Sequence, residues 1–448
     1  MSRSRTTQVF LASTLYGTAT LAAALDAGLF PDAGRRVLLV ANNASVPETT
    51  PALDGMPGFD ALRTRFDDVV SWNATIAPHH PAAWSPRPDD IPLWERHLRL
   101  AWGLGDDDVE LAVESIQVDP AMAVCRIFTG VPVDVYADGL MSYGPTRNRI
   151  DPLVGTRVGR LLHLDLVPGL RPMLLTEFGV RAQTVPTDAF LKVLGELDEA
   201  AGAAGLPAVE APALLLGQYL SALGLISAAE EEELHLRMMR GAVGRGHRSL
   251  VFKPHPTAPA QWSRAMEEEA ARLGAELTVL DADVLTAPVL AEVLYRRMRP
   301  ALVVGCFSTA LLTASEFYGL PVARVGTGTL LERLTPFENS NRVPVTLVDA
   351  LVPDLEDGGA AAPGELNDLV TAVGFAMQPK IYPQLRPVAE RYLAARLTDG
   401  TRRYFKRRRL TSLGLPGGVP EQFAFLPRNA TVRRVARRAR ALRRLAVR

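Results

Sequence analysis

A lysine and a histidine follow a short apolar run in the stretch SLVFKPHPT. The run 249–252 is typical of a buried strand, which places Lys253 and His255 at its carboxyl end. Pro254 and Pro256 set their own φ angles, and Pro256 keeps His255 extended, so the imidazole is aimed at a small entropic cost. Because prolines carry no N–H group, an anion bound here must be held by the two side chains. A histidine that only ends a strand is the plainer interpretation.

A hydroxyl pair follows a second apolar run, ALVVG, further along the chain. Ser308 and Thr309 come after that run and open a helix predicted over 309–318. A Ser or Thr at this position leaves the first-turn N–H groups pointing outward, beside the positive end of the helix dipole. That arrangement binds phosphate. Because both runs are predicted strands of one sheet, the two features favour a shared anion site.

A carboxylate closes an apolar strand in the first half of the chain, in the stretch VDVYADGLMSYG. Asp138 at that strand end faces the cleft of a parallel sheet, and Gly139 permits a tight turn that exposes it. A plain Asp-Gly turn has the same pattern. The acidic stretch GDDDVE at 105–110 precedes a strand, so we interpret it as a solvated turn and not as a metal-binding motif.

Strand-like and helix-like stretches alternate along most of the chain. The strand candidates are QVFLAS, RVLLVAN, DVVSW, VELAVES and VDVYADG, and, after a less regular region at 140–185 and a helix near 187–203, ALLLG, SLVF, LTVL, ALVVG and PVARVG. This rhythm predicts an α/β protein of two doubly wound, Rossmann-like domains that face a cleft. We place the domains at 1–205 and 206–375, a C-terminal helix that packs back on the core at 376–400, and a basic tail at 401–448.

Charge and cysteine content narrow the class of protein. The formal net charge of the 448 residues is zero, but the segment 402–448 holds fifteen Arg or Lys against one Glu. Cys125 and Cys306 lie far apart in apolar surroundings, which argues against a disulfide framework and a thiolate metal site. The N-terminus imitates a secretory signal, yet it divides into a strand, a turn at Tyr16-Gly17 and an Ala/Leu helix. We therefore expect a cytoplasmic protein.

At these motifs the sequence resembles bacterial sialyltransferases of the GT-B fold, and most closely the bacterial α-2,8-polysialyltransferase family. Those enzymes share an acidic-acidic-Gly motif, a His-Pro motif and a Ser-Ser/Thr motif, which match Ala137-Asp138-Gly139, His255-Pro256 and Ser308-Thr309. The phrases LLLGQYLS and VVGCFSTALLTASEFYG are also similar, and the resemblance spans roughly 1–400. Ala137 departs from the pattern, because the family has an acid at this position. The absence of that acid puts the rate of the reaction and the choice of acceptor in doubt.

The resemblance implies a transfer of sialic acid, or a related nonulosonic acid, from a CMP-activated donor to a glycan hydroxyl with inversion. By the same resemblance Asp138 is the general base, His255 is catalytic, and Glu292 holds the ribose hydroxyls of cytidine, although a solvated helix carboxylate is an equal interpretation. Lys253, Ser308 and Thr309 would receive the phosphate, with no cofactor and no metal. The domain 1–205 would then be the acceptor side and 206–375 the donor side.

The tail NATVRRVARRARALRRLAV has an apolar helical face opposite most of its arginines. A basic amphipathic helix favours an anionic membrane surface, here the inner face of the membrane. A disordered arginine-rich tail is the alternative. Binding of nucleic acid finds no support elsewhere in the chain.

Two other functions remain open at this point. One is a CDP-glycerol or polyol-phosphate transferase, whose GT-B domains also carry Lys and His-Pro near the phosphate. Such enzymes need a second histidine site in the same domain, which we do not find in this sequence. The other is a non-catalytic GT-B module that binds glycans or membranes.

Overall fold

The computed structural model describes residues 5–201, 206–207, 209–255, 258–280, 289–359 and 365–419. Pro256 of the His-Pro motif and the predicted amphipathic face beyond residue 419 therefore lie outside the described residues. Within the described part of the chain, no helix is both long and apolar enough to cross a membrane.

Twelve strands are described. In chain order they are β1 Thr6–Ala12, β2 Arg35–Val40, β3 Asp68–Ser71, β4 Asp108–Glu114, β5 Val133–Ala137, β6 Val158–Leu164, β7 Arg181–Val185, β8 Ala213–Leu216, β9 Ser249–Lys253, β10 Glu276–Val279, β11 Leu302–Gly305 and β12 Val322–Arg324.

Sixteen α-helices of the described residues cover and connect these strands. They are α1 Leu15–Asp26, α2 Phe59–Arg63, α3 Trp72–Ile76, α4 Ile91–Ala101, α5 Ala121–Ile127, α6 Pro152–Gly155, α7 Thr187–Ala201, α8 Ala228–Gly244, α9 Ala260–Leu273, α10 Ala291–Met298, α11 Thr309–Tyr318, α12 Thr327–Arg333, α13 Arg342–Leu351, α14 Leu366–Met377, α15 Arg386–Arg396 and α16 Arg407–Ser412.

The strands form two separate parallel sheets. The first has the order β3-β2-β1-β4-β5-β6-β7 and the second has the order β10-β9-β8-β11-β12. Alternate residues of β1 enter two different core clusters, with Phe10 on one face of the sheet and Val9 and Leu11 on the other. Both faces are thus covered by helices, as expected for parallel strands. The structure confirms the predicted α/β architecture of two doubly wound domains.

Two details of the first half differ from the sequence-based expectation. The region 140–185 contains β6 and β7, and β7 went unrecognised because it is an exposed edge strand without apolar alternation. The expected turn at Tyr16-Gly17 is wrong, because both residues lie in the first turn of α1. Thr14 caps that helix by accepting a hydrogen bond from the Gly17 N–H at 2.9 Å.

The two halves contact each other directly and through the segment that follows α14. Phe190 of α7 meets Phe317 of α11 with ring centroids 6.1 Å apart. The segment after α14 returns to the first half, where the buried Tyr382 hydroxyl donates to Glu177 Oε2 at 2.7 Å. Residues 401–419, the described part of the predicted basic tail, pack on the second half, and the Tyr404 hydroxyl donates to Asp349 at 2.9 Å.

Candidate active site

A cavity of about 450 Å³ lies between the carboxyl edges of the two sheets. We call it the interdomain cavity. Its wall from the first half includes Glu114, Asp138 and Gly139, and its wall from the second half includes Ser308 and Thr309. The structure therefore brings the predicted carboxylate and the predicted helix start to one space.

The topology explains why the cavity lies at this place. In the first sheet the strand order reverses between β1 and β4, and in the second it reverses between β8 and β11. Loops diverge at such switch points and leave a crevice at the carboxyl ends of the strands. Glu114 ends β4 at one switch point. At the other, Gln218 follows β8 and accepts a hydrogen bond from the Phe307 N–H at 2.9 Å. All three residues line the cavity.

Asp138 follows β5 directly and is partly buried. The Thr14 hydroxyl, at the start of α1, is a hydrogen-bond partner of its carboxylate. Burial raises the pKa of Asp138 above the usual aspartate value, and the hydrogen bonds only partly oppose this effect. A carboxylate with a raised pKa binds a proton more strongly, which suits a general base.

Glu114 is a second carboxylate in the same wall. Sequence reasoning did not single it out. In the parallel pairing of β4 with β5 it lies beside Tyr136, whose hydroxyl is 3.1 Å from Glu114 Oε2. Burial, and after it the charge of Asp138, raises the pKa of Glu114 to about 7, against opposing hydrogen bonds from Ser13 and Tyr136.

Ser308 and Thr309 begin α11 on the opposite wall. Ser308 is extended and its side chain accepts from the Ala310 N–H at 3.3 Å, which makes it the helix cap that the sequence predicts. The remaining first-turn N–H groups are those that an anion can reach. The gap to the first half is narrow, since a Cβ built at Gly139 would lie 3.2 Å from Thr309 Oγ1.

Lys253 and His255 follow β9, the strand beside β8, and do not line the interdomain cavity as described. Desolvation lowers the pKa of Lys253, while the charge of Glu292 opposes this. Partial desolvation of the ring, and then the charge of Lys253, lowers the pKa of His255. The Tyr219 ring lies 6.0 Å from the imidazole, between centroids.

Glu292 is on α10 and is only 3% exposed, so the solvated-carboxylate interpretation does not apply. The Thr313 hydroxyl donates to its Oε1 at 2.9 Å. Burial raises the pKa of Glu292, and the charge of Lys253 opposes the rise. The structure thus groups Glu292 with Lys253 and His255, away from the wall that carries Asp138.

The charges of both groups act on Tyr16. Burial raises its pKa, and the charges of Glu292 and then Asp138 add to the effect. Its hydroxyl is buried and has no hydrogen-bond partner among the described residues. A carboxylate from each half, Asp138 from the first and Glu292 from the second, therefore affects the ionisation of Tyr16.

Arg147 also lines the interdomain cavity and was missed by sequence reasoning. Its Nη1 donates to Ser340 Oγ at 3.2 Å, across the two halves. Its backbone N–H donates to Gln117 Oε1 at 2.5 Å, and its carbonyl accepts from Gln378 Nε2 at 2.7 Å. The backbone is held on both sides while most guanidinium donors stay available, which suits a carboxylate ligand.

Sequence reasoning missed Glu114 and Arg147 because neither residue belongs to a recognised motif. Glu114 is the last residue of β4 and Asp138 is the first residue after β5, so a carboxylate at the carboxyl end of β4 was the available signal. The described residues contain no group of three or more His, Cys, Asp or Glu side chains placed to hold a metal ion.

The sequence and the structure were compared with those of known proteins. The family model for alpha-2,8-polysialyltransferase matches residues 8–327. A search of curated proteins gave no match. Among solved structures, the GT-B domain of a sialyltransferase from Photobacterium damselae, residues 113–497, is 12% identical, with 77% of this chain and 96% of that chain covered and a TM-score of 0.37. A UDP-GlcNAc 2-epimerase from Neisseria meningitidis bound to UDP-GlcNAc is 11% identical, with 88% and 95% covered and a TM-score of 0.42. UGT73P12 from Glycyrrhiza uralensis, complexed with glycyrrhetinic acid 3-O-monoglucuronide, is 10% identical, with 98% and 99% covered and a TM-score of 0.41.

The protein is a glycosyltransferase of the two-domain GT-B class. More particularly, since the family model covers well over half of its length, the chain belongs to the α-2,8-polysialyltransferase family. It is thus a sialyltransferase, an enzyme that takes a nucleotide-sugar donor and a glycan acceptor.

Proposed function

We propose that the enzyme transfers sialic acid, or a related nonulosonic acid, from a CMP-activated donor to a glycan hydroxyl, with inversion and without a metal ion. The observation that carries this proposal is the interdomain cavity. It places Asp138 on one wall and the Ser308/Thr309 helix start on the other. One wall offers a base, and the other offers groups that bind a phosphate.

The second half supplies the groups that stabilise negative charge on the leaving phosphate. When the bond between C2 of the sugar and the phosphate oxygen breaks, the electron pair leaves with CMP and negative charge develops on its phosphate. The N–H groups at the start of α11 stabilise that charge, and Lys253 and His255 extend the site from the end of β9, which is separated from β11 by β8. Preorganised donors of this kind contribute roughly 3–4 kcal/mol each to the transition state.

The first half supplies the base. Asp138 takes the proton of the acceptor hydroxyl, and the freed oxygen attacks C2 on the face opposite the leaving phosphate, which inverts that centre. A positioned general base contributes roughly 10²–10⁴ in rate. Closing of the two halves would bring Lys253, His255 and Glu292 to the donor, with Glu292 on the ribose hydroxyls.

The test compares Asp138→Asn with Asp134→Asn. Asp134 is on β5, the strand that precedes Asp138, but it pairs with Arg160 at 2.7 Å and does not line the cavity. We expect Asp138→Asn to lose at least about 10²-fold in transfer while CMP still binds. Asp134→Asn keeps its activity. Full transfer by Asp138→Asn would contradict the proposed base and favour a module that only binds glycans.

The donor is tested by offering CMP-sialic acid and CDP-glycerol separately and measuring the nucleotide released. A CDP-glycerol transferase would need a second histidine at its phosphate site. In the described part of the second half, His235 of α8 is only 1% exposed and packs against Phe252 and Trp262. Since that ring does not reach the cavity, we expect CMP release alone. Nucleotide release from CDP-glycerol alone would contradict the proposal of a CMP-activated donor.

We also propose that the protein works in the cytoplasm, in the synthesis of a capsule or another cell-surface polysaccharide, with its basic C-terminus on an anionic membrane surface. The support is the arginine content after residue 427. Binding of the full chain to vesicles with anionic lipid should fall with salt, and a chain ending at Val419 should not bind. Equal binding by both chains would contradict the role of the tail.

A further inference from the structure

The wall of the interdomain cavity holds two carboxylates where the sequence motif holds one. Ala137 stands where the family has its first acid, and it packs towards the core cluster on the far face of the sheet. Side chains alternate along a strand, so Tyr136 and Asp138 share the opposite face. Glu114 reaches that same face from β4, because it pairs with Tyr136 across the two strands.

Two adjacent residues at the end of β1 hold the two carboxylates. Ser13 hydrogen-bonds to Glu114, and Thr14 hydrogen-bonds to Asp138. The first turn of α1 closes over them. A Cβ at Gly17 would lie 3.1 Å from Glu114 Oε2 and 3.3 Å from the Tyr136 hydroxyl. This side of Glu114 therefore leaves little room for water to stabilise a negative charge.

The Tyr136 hydroxyl indicates where a proton lies. It is 2.9 Å from the carbonyl oxygen of Leu11 and 3.1 Å from Glu114 Oε2, and both are acceptors if Glu114 is ionised. A phenol has one proton and can serve only one of them. If Glu114 is protonated, it donates to Tyr136, and Tyr136 donates to Leu11. All three groups are then satisfied, as buried polar groups normally are.

We propose that Glu114 is the proton-bearing partner of Asp138, a positioning residue that stays neutral so that Asp138 alone is ionised when the acceptor binds. The proposal rests on the transfer reaction given above. In that reaction the acceptor proton goes to Asp138, the electron pair of the broken C2–O bond goes to the CMP phosphate, and Glu114 keeps its own proton throughout.

The pH dependence follows from the groups that face Glu114. From β5 these are Asp138 and Tyr136, while α1 contributes the backbone of Gly17, and Arg147 lines the same cavity. The raised pKa of about 7 means that Glu114 loses its proton above neutral pH. Its ionisation puts a second negative charge beside Asp138, where it repels an anionic substrate.

Infrared pH-difference spectra and the pH profile of kcat/KM test this proposal on the full chain. In wild type we expect a protonated-carboxyl band that disappears with a midpoint near pH 7, together with a fall in kcat/KM of roughly tenfold per pH unit above it. Glu114→Gln should lose the band and the alkaline fall. Glu110→Gln, which changes another carboxylate of β4, should keep both.

A second variant covers the case in which Glu114→Gln does not fold. Asp138→Asn removes the charge that raises the pKa of Glu114, so the band should remain and its midpoint should move to lower pH. An unchanged midpoint, or a band that persists in Glu114→Gln, would overturn the proposal. If the band behaves as expected but wild type transfers no sialic acid, the carboxylate pair stands and the proposed function falls. If wild type transfers sialic acid and the band is absent, the proposed function stands and the proposal of a protonated Glu114 is wrong.

Discussion

Gly139 and Thr309 meet across the cleft from different halves of the protein. A Cβ built on Gly139 would lie 3.2 Å from Thr309 Oγ1, which is closer than ordinary van der Waals contact. The backbone of Gly139 is extended, with φ −139° and ψ −179°, so any residue could adopt it. The glycine is therefore needed for the close approach of the two halves and not for its own conformation.

Gly139→Ala should slow transfer without unfolding the protein. The added methyl group pushes Thr309 and the start of α11 away from Asp138, and small misplacements of reacting groups cost up to about 10² in rate. The measurement is kcat for transfer beside the melting temperature. Gly159→Ala is the matched control, because Gly159 is an exposed strand glycine whose nearest contact, Asp134 Oδ1, lies at 3.5 Å. Equal kcat values for the two variants would show that transfer does not depend on the close contact between Gly139 and Thr309.

Ser308→Ala should weaken the binding of CMP more than a lost helix cap explains. Removing an N-cap hydroxyl costs about 1 kcal/mol of stability. At Ser308 the change also disturbs the N–H groups that receive the phosphate, so we expect roughly a tenfold loss of CMP affinity. Titration calorimetry measures it.

The matched control is Ser227→Ala, which removes a cap far from the cavity. Ser227 and Glu230 form a full capping box at the start of α8. This variant should lose similar stability and keep its CMP affinity. A parallel loss of CMP affinity in both variants would assign the effect of Ser308 to stability alone.

Arg147→Ala should raise the KM for an acidic acceptor or donor. The guanidinium lines the cavity, and a hydrogen bond to a charged group is worth about 1.5–3 kcal/mol, or roughly 10- to 100-fold in binding. Steady-state kinetics with a sialylated acceptor and with a neutral one measure the difference. Arg149→Ala changes an exposed arginine two residues away and should leave KM unchanged. The same KM for Arg147→Ala with both acceptors would contradict the assignment.

His235→Leu should make the protein more resistant to acid. Burial lowers the pKa of His235 from 6.5 to about 4, and neither ring nitrogen has a partner among the described residues. The folded protein cannot take up the proton that the unfolded chain binds below pH 6.5, so stability falls from there to about pH 4. This shift corresponds to an order of about 3 kcal/mol.

The free energy of unfolding measured across that range tests the prediction. Wild type should lose stability steadily on the acid side, and His235→Leu should lose less. Identical pH dependence in the two proteins would mean that another group controls acid unfolding.

Local sequence was enough to predict most of the elements and several of their ends. Apolar runs bounded by turn residues predicted the strands before Asp138, Lys253 and Ser308. The spacing of Ser227 and Glu230 predicted the start of α8. These features depend on residues within about four positions of each other, because strand and helix periodicities are short. The motif residues could therefore be placed at strand ends, and their family recognised.

The order of the strands was decided by tertiary structure. Glu114 and Asp138 are neighbours because β4 pairs with β5 while β1 lies on the other side of β4. The burial of Glu292, the position of Arg147 and the contact of Gly139 with Thr309 likewise depend on how two distant segments pack. Such contacts are made across the sheets and the cleft, between residues up to a few hundred positions apart. No local pattern of hydrophobicity specifies them, since their free energy exists only once both segments are folded and in contact.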